Sequence, residues 1–107
     1  MPNTQNFYEK VLDIVRQIPP GRVTTYGIIA GYIGRKGSAR MVGWVLNKQK
    51  GQSNIPAHRV VNRKGLLTGK MHFEGINLMQ ELLENEGVVI VNNQIVDLDR
   101  YLWYPED

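Results

Sequence analysis

The sequence contains no cysteine, and this absence excludes several kinds of chemistry together. Disulfide bonds, thiolate zinc sites, thiol redox reactions and cysteine nucleophiles all need a thiol that none of the 107 residues supplies. Histidine is also scarce, with two residues and no supporting cluster of carboxylates. We therefore expect neither a metal site nor a cofactor.

Long apolar runs are absent as well. No stretch approaches the roughly 18 consecutive apolar residues of a membrane span. Residues 1–10 lack the basic and then apolar pattern of a signal peptide. These features predict an intracellular, cytoplasmic protein that has no membrane partner.

Charge and length set the next limits. Thirteen Lys and Arg against ten Asp and Glu give a net charge of +3 and a pI near 9.3, which suits a polyanionic partner without requiring one. The chain is 42% apolar, long enough for one compact core and too short for two. We therefore predict a single domain, residues 1–107.

The N-terminal half of the sequence predicts an amphipathic helix and a second, short helix, separated by a sharp break. Apolar residues recur with helical spacing over residues 4–18, until a Pro-Pro-Gly sequence at 19–21 ends the pattern. Either Thr24 or Thr25 is expected to cap a second helix, which ends near Gly34.

A third helix is predicted after Ser38, whose hydroxyl is positioned to cap it. Its inward face carries Ala39, Val42, Val45 and Leu46, and its outward face carries Arg40, Trp44 and Asn47. A short helix, a turn with glycine and a second helix together predict a helix-turn-helix.

The C-terminal half predicts short strands around a fourth helix. Residues 55–61 are predicted to be extended, and residues 60–61 to pair with residues 66–67 in a hairpin or wing that turns at Gly65. The remaining predicted elements are a helix ended by Gly87, with Phe73, Ile76, Met79, Leu82 and Leu83 on its apolar face, and a hairpin of residues 88–91 and 94–96 across Asn92 and Asn93. The predicted fold class is mainly α with short β-hairpins.

Four motifs follow one another in a specific order. They are Thr25-Tyr26, Ser38-Ala39-Arg40-Met41-Val42-Gly43, Pro56-Ala57-His58-Arg59-Val60 and Glu86-Gly87. In order and spacing, from about residue 4 to residue 91, they resemble the C-terminal domain of O6-alkylguanine-DNA alkyltransferases. The resemblance implies a winged helix-turn-helix DNA-binding domain of the alkyltransferase C-terminal type.

Ala57 departs from this pattern, because alkyltransferases carry there the cysteine that takes the alkyl group from the damaged base. A methyl side chain has no lone pair, and the sequence has no other cysteine. The chain is therefore similar to the alkyltransferase-like proteins. That similarity implies a non-enzymatic, monomeric sensor that binds O6-alkylguanine in double-stranded DNA through the minor groove, flips it out and directs it to nucleotide excision repair.

The resemblance assigns base flipping to Tyr26 and Arg40. A base must leave the duplex to be inspected, and the gap that it leaves must be filled. Arg40 would fill this gap and pair with the orphaned base, while Tyr26 would turn the nucleotide at its phosphate. Taken alone, Arg40 would be interpreted as a solvated helix residue and Tyr26 as a core residue. Their joint spacing from the Pro56–Val60 segment favours the functional interpretation.

The lesion pocket implied by the resemblance consists of Tyr26, Pro56, Ala57, Val60, Lys70 and Met71. The carbonyls of Ala57 and Val60 would accept hydrogen bonds from the guanine amino group, and the Met71 amide would donate toward O6. Lys70 stands where some relatives place an arginine, and it keeps the charge without the planar surface. Because alanine enlarges the pocket floor, we predict tolerance of varied alkyl groups.

His58 and Glu86 would form a proton relay in an alkyltransferase, and beside Ala57 they are expected to be vestigial. A structural His58, hydrogen-bonded inside the domain, is then the favoured interpretation. Arg59 is expected to hold the Pro56–Val60 segment in place by hydrogen bonds.

Two further positions depart from the relatives. Gln49 replaces an asparagine that usually fixes the turn before the Pro56–Val60 segment, which predicts some loss of local rigidity. Trp44 stands where relatives often have a small residue, and either packing on the wing or a wider DNA contact would explain it.

Two other functions compete with lesion sensing. A winged-helix transcriptional regulator that binds undamaged DNA would share the helix-turn-helix and basic wing, but it would not need a Pro56–Val60 pocket. A hydrolytic glycosylase could use His58 and Glu86 to activate water on a flipped base. Binding without turnover explains more of the sequence than either alternative.

Overall fold

A computed structural model describes residues 6–34, 38–49, 54–68 and 77–105. Its helices are α1 (Phe7–Gln17), α2 (Tyr26–Ile33), α3 (Ala39–Lys48) and α4 (Leu78–Asn85). Its strands are β1 (Thr24–Thr25), β2 (Val60–Val61), β3 (Ile90–Val91) and β4 (Gln94–Ile95), and short 3-10 helices span Ala57–Arg59 and Leu98–Arg100. Within these ranges, no helix has the length and apolar character that crossing a membrane requires.

Side-chain caps determine where the first two helices begin. α1 starts after Asn6, whose Oδ1 accepts a 2.9 Å hydrogen bond from the Glu9 amide. Thr25, and not Thr24, caps α2, because its hydroxyl accepts a 3.0 Å hydrogen bond from the amide three residues further on. Gly34 ends α2 with a φ of 94°, as predicted.

α3 has the two predicted faces but not the predicted cap. Its buried residues are Val42, Val45 and Leu46, and its exposed residues include Arg40, Trp44 and Asn47. The side chain of Ser38 makes no capping hydrogen bond, so that prediction was wrong. The Ser38 backbone, with φ −99° and ψ 22°, lies outside the extended region from which a cap hydroxyl reaches the helix amides. α2 packs on α3 and completes the helix-turn-helix.

The predicted pairing of β2 with residues 66–67 was wrong. β2 pairs in parallel with β1, in a register that places Thr24 opposite Val60. The chain still turns back after β2, because the Asn62 amide donates to the Leu66 carbonyl at 3.2 Å. Leu66 then forms a bridge with β4.

The segment before β2 is a turn instead of an extended strand. The Arg59 amide donates to the Pro56 carbonyl at 3.0 Å, and the Val60 amide donates to the Ala57 carbonyl. These two local hydrogen bonds close a 3-10 helix, so only the two residues of β2 are extended.

α4 and the terminal hairpin agree with the prediction where the structure describes them. α4 buries Met79 and Leu83 and is followed by Gly87, which has a φ of 92°. β3 and β4 pair across two asparagines whose φ angles of 53° and 65° suit a tight hairpin turn. Two of the residues predicted for this helix, Phe73 and Ile76, lie outside the described residues.

Two clusters of buried apolar side chains lie on opposite sides of the β1–β2 pair. The first contains Val11, Leu12, Ile14, Val15, Ile18, Ile29, Ala30, Val42, Val45, Leu46, Ile55 and Val60. The second contains Val23, Val61, Leu67, Met79, Leu83, Val88, Ile90, Ile95 and Tyr101. Successive strand residues point to opposite faces, so β2 contributes one valine to each cluster.

The C-terminal segment closes against the residue that precedes β1. The Val23 amide donates to the Tyr101 carbonyl at 2.9 Å, and the Trp103 amide donates to the Val23 carbonyl at 2.8 Å. The Arg22 guanidinium donates to the carbonyls of Tyr101 and Leu102. This segment therefore holds the strand from which α2 begins.

Candidate nucleic-acid interface

An ion-pair network joins the Pro56–Val60 segment to Glu86. Arg59 Nη2 lies 2.7 Å from Glu86 Oε2, and Arg59 Nε lies 3.0 Å from Glu86 Oε1, so the guanidinium and the carboxylate make a two-pronged contact. His58 Nε2 lies 2.8 Å from Glu86 Oε2. The side chains of His58 and Glu86 are only 10% and 15% exposed. His58 is thus hydrogen-bonded inside the domain, and Arg59 makes the hydrogen bonds expected of it, while the structural role of His58 stays a prediction.

The same network is tied to the end of α1. Arg59 Nη1 donates to the Ile18 carbonyl at 2.8 Å, and the Gly21 amide donates to Glu86 Oε1 at 3.2 Å. Gly21 has a φ of 83°, and a Cβ there would stand 3.2 Å from the Glu86 carbonyl oxygen. Both its conformation and its surroundings therefore require glycine.

The network sets the protonation of its two titratable members. Burial alone would raise the pKa of Glu86, but hydrogen bonds from Arg59, His58 and the Gly21 amide outweigh it and lower the pKa from 4.5 to about 2. Burial lowers the pKa of His58 below 6.5, against the opposing effect of Glu86. A carboxylate with so low a pKa is a weak general base near neutral pH, which counts against the glycosylase alternative.

Ala57 is the first residue of the 3-10 helix and is half-buried against the first cluster. Its carbonyl accepts the Val60 amide, and since a carbonyl oxygen has two lone pairs, one remains for a further donor. Pro56 is also half-buried. The segment therefore offers backbone carbonyl acceptors and the methyl group of Ala57 to a ligand. Arg59 fixes the segment through its hydrogen bonds to Glu86 and to the Ile18 carbonyl.

Tyr26 lies at the junction of β1 and α2. Its ring is partly buried against the first cluster, and the nearest atom of the ring stands 3.8 Å from where a Cβ on Gly43 would be. Its side chain is hydrogen-bonded to Thr68, and burial raises the pKa of Tyr26 above 10.0. The phenol is thus neutral and fixed by contacts from α3 and from the segment after β2.

Arg40 lies in the first turn of α3, and its side chain is exposed. Further along the same helix, Met41 and Trp44 are 50% and 51% exposed. α3 contains no acidic residue. The helix therefore presents a cationic and partly apolar surface to solvent, as a helix that contacts DNA would.

Residues 6–88 match the family described as the 6-O-methylguanine DNA methyltransferase, DNA binding domain. The chain belongs to this family. Within this DNA-binding domain family it is an alkyltransferase-like protein, as the sequence resemblance predicted.

Two curated relatives of this alkyltransferase-like chain match over nearly its whole length. Alkyltransferase-like protein 1 of Schizosaccharomyces pombe is 37% identical over 103 residues, which cover 92% of this chain and 95% of the relative. The DNA base-flipping protein of Escherichia coli is 40% identical over 105 residues, which cover 96% of this chain and 78% of the relative.

Solved structures of the family match the fold. A crystal structure of S. pombe Atl1 in complex with damaged DNA containing O6-carboxymethylguanine has a TM-score of 0.79 at 35% identity, covering 92% of this chain and 95% of that chain. A structure of Mycobacterium tuberculosis OGT in complex with DNA has a TM-score of 0.64 at 36% identity and covers 78% of this chain and 51% of that chain. The predicted fold class is therefore confirmed.

The structure describes only some of the predicted site residues of this family member. Tyr26 and Ala57 pack against the same cluster, whereas Lys70 and Met71 lie outside the described residues. Sequence reasoning missed Thr68 and Gly43 as neighbours of Tyr26. The one available signal for Gly43 was its place inside an otherwise regular helix, because a glycine there lets another side chain approach the helix closely.

Two positions of this alkyltransferase-like protein that depart from the relatives, Trp44 and Gln49, both contact Tyr8. Trp44 packs against Tyr8 of α1 in a T-shaped pair, rather than on the wing. Gln49 donates its side-chain amide to the Tyr8 hydroxyl, so it ties the end of α3 to α1.

Proposed function

We propose that the chain is a non-enzymatic sensor of DNA damage that binds O6-alkylguanine in double-stranded DNA. It approaches through the minor groove and holds the flipped base between Tyr26 and the Pro56–Val60 segment. Membership of the DNA-binding family supports this proposal, as do relatives named for base flipping and solved with damaged DNA.

One observation carries the proposal. Glu86 holds Arg59 and His58 of the Pro56–Val60 segment by hydrogen bonds, yet the residue between Pro56 and His58 is Ala57. In our proposal Ala57 occupies the position of the alkyl-acceptor cysteine. A chain without any cysteine has no thiolate to receive the alkyl group, so binding ends in a long-lived complex.

Each site residue has a role in this proposal. Arg40 enters the duplex from the exposed start of α3 and occupies the vacated stack, for which a planar and permanently charged group is suited. Tyr26 turns the nucleotide. Lys70 covers the pocket, the Met71 amide donates toward O6, and the carbonyls of Ala57 and Val60 accept from the base. Pro56 closes the pocket floor beside Ala57.

We also infer that the chain acts as one domain and as a monomer, and that its complex directs the lesion to nucleotide excision repair. A sensor that cannot remove the lesion is useful only if another activity follows. A complex that dissociates slowly gives that activity time to arrive.

The central experiment titrates the protein with matched duplexes that contain guanine or O6-methylguanine, and then determines the masses of both partners after long incubation. We expect tighter binding to the lesion duplex and unchanged masses. Equal affinity for the two duplexes would contradict lesion sensing and favour a winged-helix regulator of undamaged DNA. Loss of the alkyl group from the DNA would instead reveal an enzyme.

Arg40→Ala tests the proposed finger. We expect at least about a tenfold loss of affinity for the O6-methylguanine duplex, because the vacated stack is then unfilled. Arg16→Ala is the matched control, since Arg16 is an exposed arginine of α1 whose ion pair with Asp13 is solvated. Equal losses for the two variants would reduce Arg40 to an ordinary phosphate contact.

A further inference from the structure

A cluster of aromatic and cationic side chains joins the outward side of α3 to α1, beyond the residues assigned to lesion recognition. This α1–α3 cluster consists of Tyr8, Trp44, Lys48 and Gln49. The rings of Tyr8 and Trp44 meet edge to face, with centres 6.3 Å apart and an interplanar angle of 80°. The Nζ of Lys48 lies 5.0 Å from the centre of the Trp44 ring.

The cluster holds Trp44 in place without burying it. Tyr8 packs against the first core cluster and receives a hydrogen bond from Gln49, so the ring that the indole contacts is itself fixed. Trp44 nevertheless leaves 51% of its surface exposed. A fixed aromatic surface loses little conformational entropy when a partner covers it.

The position of Trp44 along α3 relates it to the proposed finger. Arg40, Trp44 and Lys48 are spaced four residues apart and form one row along the helix. With a rise of 1.5 Å per residue, neighbours in this row are separated by about 6 Å. The row places an apolar ring between two cations, on a helix that has no acidic residue.

We propose that Trp44 and Lys48 extend the DNA-binding surface from the flipped base to the adjoining sugar-phosphate backbone. Trp44 packs on a deoxyribose, and Lys48 pairs with a phosphate beyond it. The alternation of charge and apolar surface along the row complements a backbone in which phosphates flank apolar sugar faces. The inference rests on the proposed function only in that α3 faces DNA. It does not depend on lesion recognition, because sugars and phosphates are the same in damaged and undamaged duplexes.

The first test compares Trp44→Ala with Tyr104→Ala, which removes an aromatic residue of similar exposure from the C-terminal segment. We expect Trp44→Ala to weaken binding to the guanine and O6-methylguanine duplexes by the same factor, about fivefold to tenfold. Tyr104→Ala should bind both like the parent protein. Lys48→Gln should reduce the slope of log affinity against log salt by about 1.

The second measurement reports whether DNA covers Trp44, and it does not depend on a change in affinity. The chain has two tryptophans, so Trp103→Phe leaves Trp44 as the single tryptophan, whose fluorescence can be excited where the five tyrosines absorb little. Either duplex should then protect Trp44 from acrylamide quenching, and a melting curve verifies that the variant is folded.

The outcomes separate this inference from the proposed function. Unchanged binding of Trp44→Ala together with unprotected Trp44 fluorescence would overturn the inference, even if lesion preference remained. A loss confined to the lesion duplex would also overturn it, since Trp44 would then belong to the lesion pocket. Equal binding of the parent protein to both duplexes would refute lesion sensing and leave the effect of Trp44 intact.

Discussion

Glu86 accepts hydrogen bonds from Arg59, His58 and the Gly21 amide, and these donors hold its pKa near 2 despite its burial. The chain has no cysteine, so no thiol is available to a relay through His58. The network nevertheless links three parts of the chain, namely the end of α1, the 3-10 helix before β2 and the end of α4. At the scale of single residues, the network therefore holds the Pro56–Val60 segment in position.

The network predicts how stability depends on pH. Because the pKa of Glu86 is lowered from 4.5 to about 2, its contribution is present above pH 4.5 and is lost as the pH falls toward 2. Burial lowers the pKa of His58 from 6.5, so its protonation adds a loss of the same sign below that pH. In urea titrations between pH 7 and pH 2, Glu86→Gln should show a shallower fall below pH 4.5 than the parent protein.

The matched control is Glu84→Gln, because Glu84 is exposed on the same helix. It should keep the steep fall of the parent protein below pH 4.5. Parallel curves for Glu86→Gln and the parent protein would mean that the network does not control acid stability.

Individual site residues were predictable to different degrees. The holding role of Arg59 followed from the Pro56–Val60 segment, and the contact of His58 with Glu86 followed from the family relay. The hydrogen bond between Tyr26 and Thr68 was not foreseen, because threonine after a turn is common and carries no periodic signal. Nor did any local pattern indicate that Tyr8, 36 residues before Trp44, would support its ring.

At the scale of elements, α2 offers a direct comparison between two glycines. Gly31 lies inside the helix and Gly34 ends it with a φ of 94°, and a Cβ at either position would meet nothing within 4 Å. Gly31→Ala should therefore raise the free energy of unfolding by about 1 kcal/mol through helix propensity. Gly34→Ala should lower it by about 1 kcal/mol, because alanine is strained in the left-handed region.

Chemical denaturation of the two variants and the parent protein measures both changes. Since neither site is crowded, opposite signs isolate the effect of backbone conformation from that of packing. Changes of the same sign would show that α2 is governed by its contacts with α1 and α3 instead.

Helices were predicted better than strands because their signals are local. Thr25 and Gly34 lie within a few residues of the ends that they specify, and the apolar period lies within the helix itself. β2 was assigned the wrong partner because Thr24 and Val60 are 36 residues apart, and a parallel pair leaves no turn motif between them. The hairpin was predicted from the turn that follows β2. That prediction overlooked that β2 places one valine in each of the two clusters.

At the scale of the whole molecule, the family match ends at residue 88, but the packed structure continues. Ile90, Ile95 and Tyr101 belong to the second cluster, and the segment after β4 pairs with Val23. β1 leads directly into α2, whose first residue is Tyr26. Residues beyond the family match thus support the strand that leads into Tyr26, the residue proposed to turn the nucleotide.

Removal of residues 98–107 should therefore destabilise the domain and weaken DNA binding together. Loss of the buried Tyr101 ring alone is expected to cost about 3 kcal/mol, a large fraction of the 5–15 kcal/mol that typically stabilises a domain. Thermal unfolding should show a lower Tm, and titration with the O6-methylguanine duplex should show reduced affinity. Tyr104→Ala, at an exposed position of the same segment, should change neither quantity. A truncated protein with the parent Tm would show that β1 is held by β2 and the two clusters without its C-terminal neighbour.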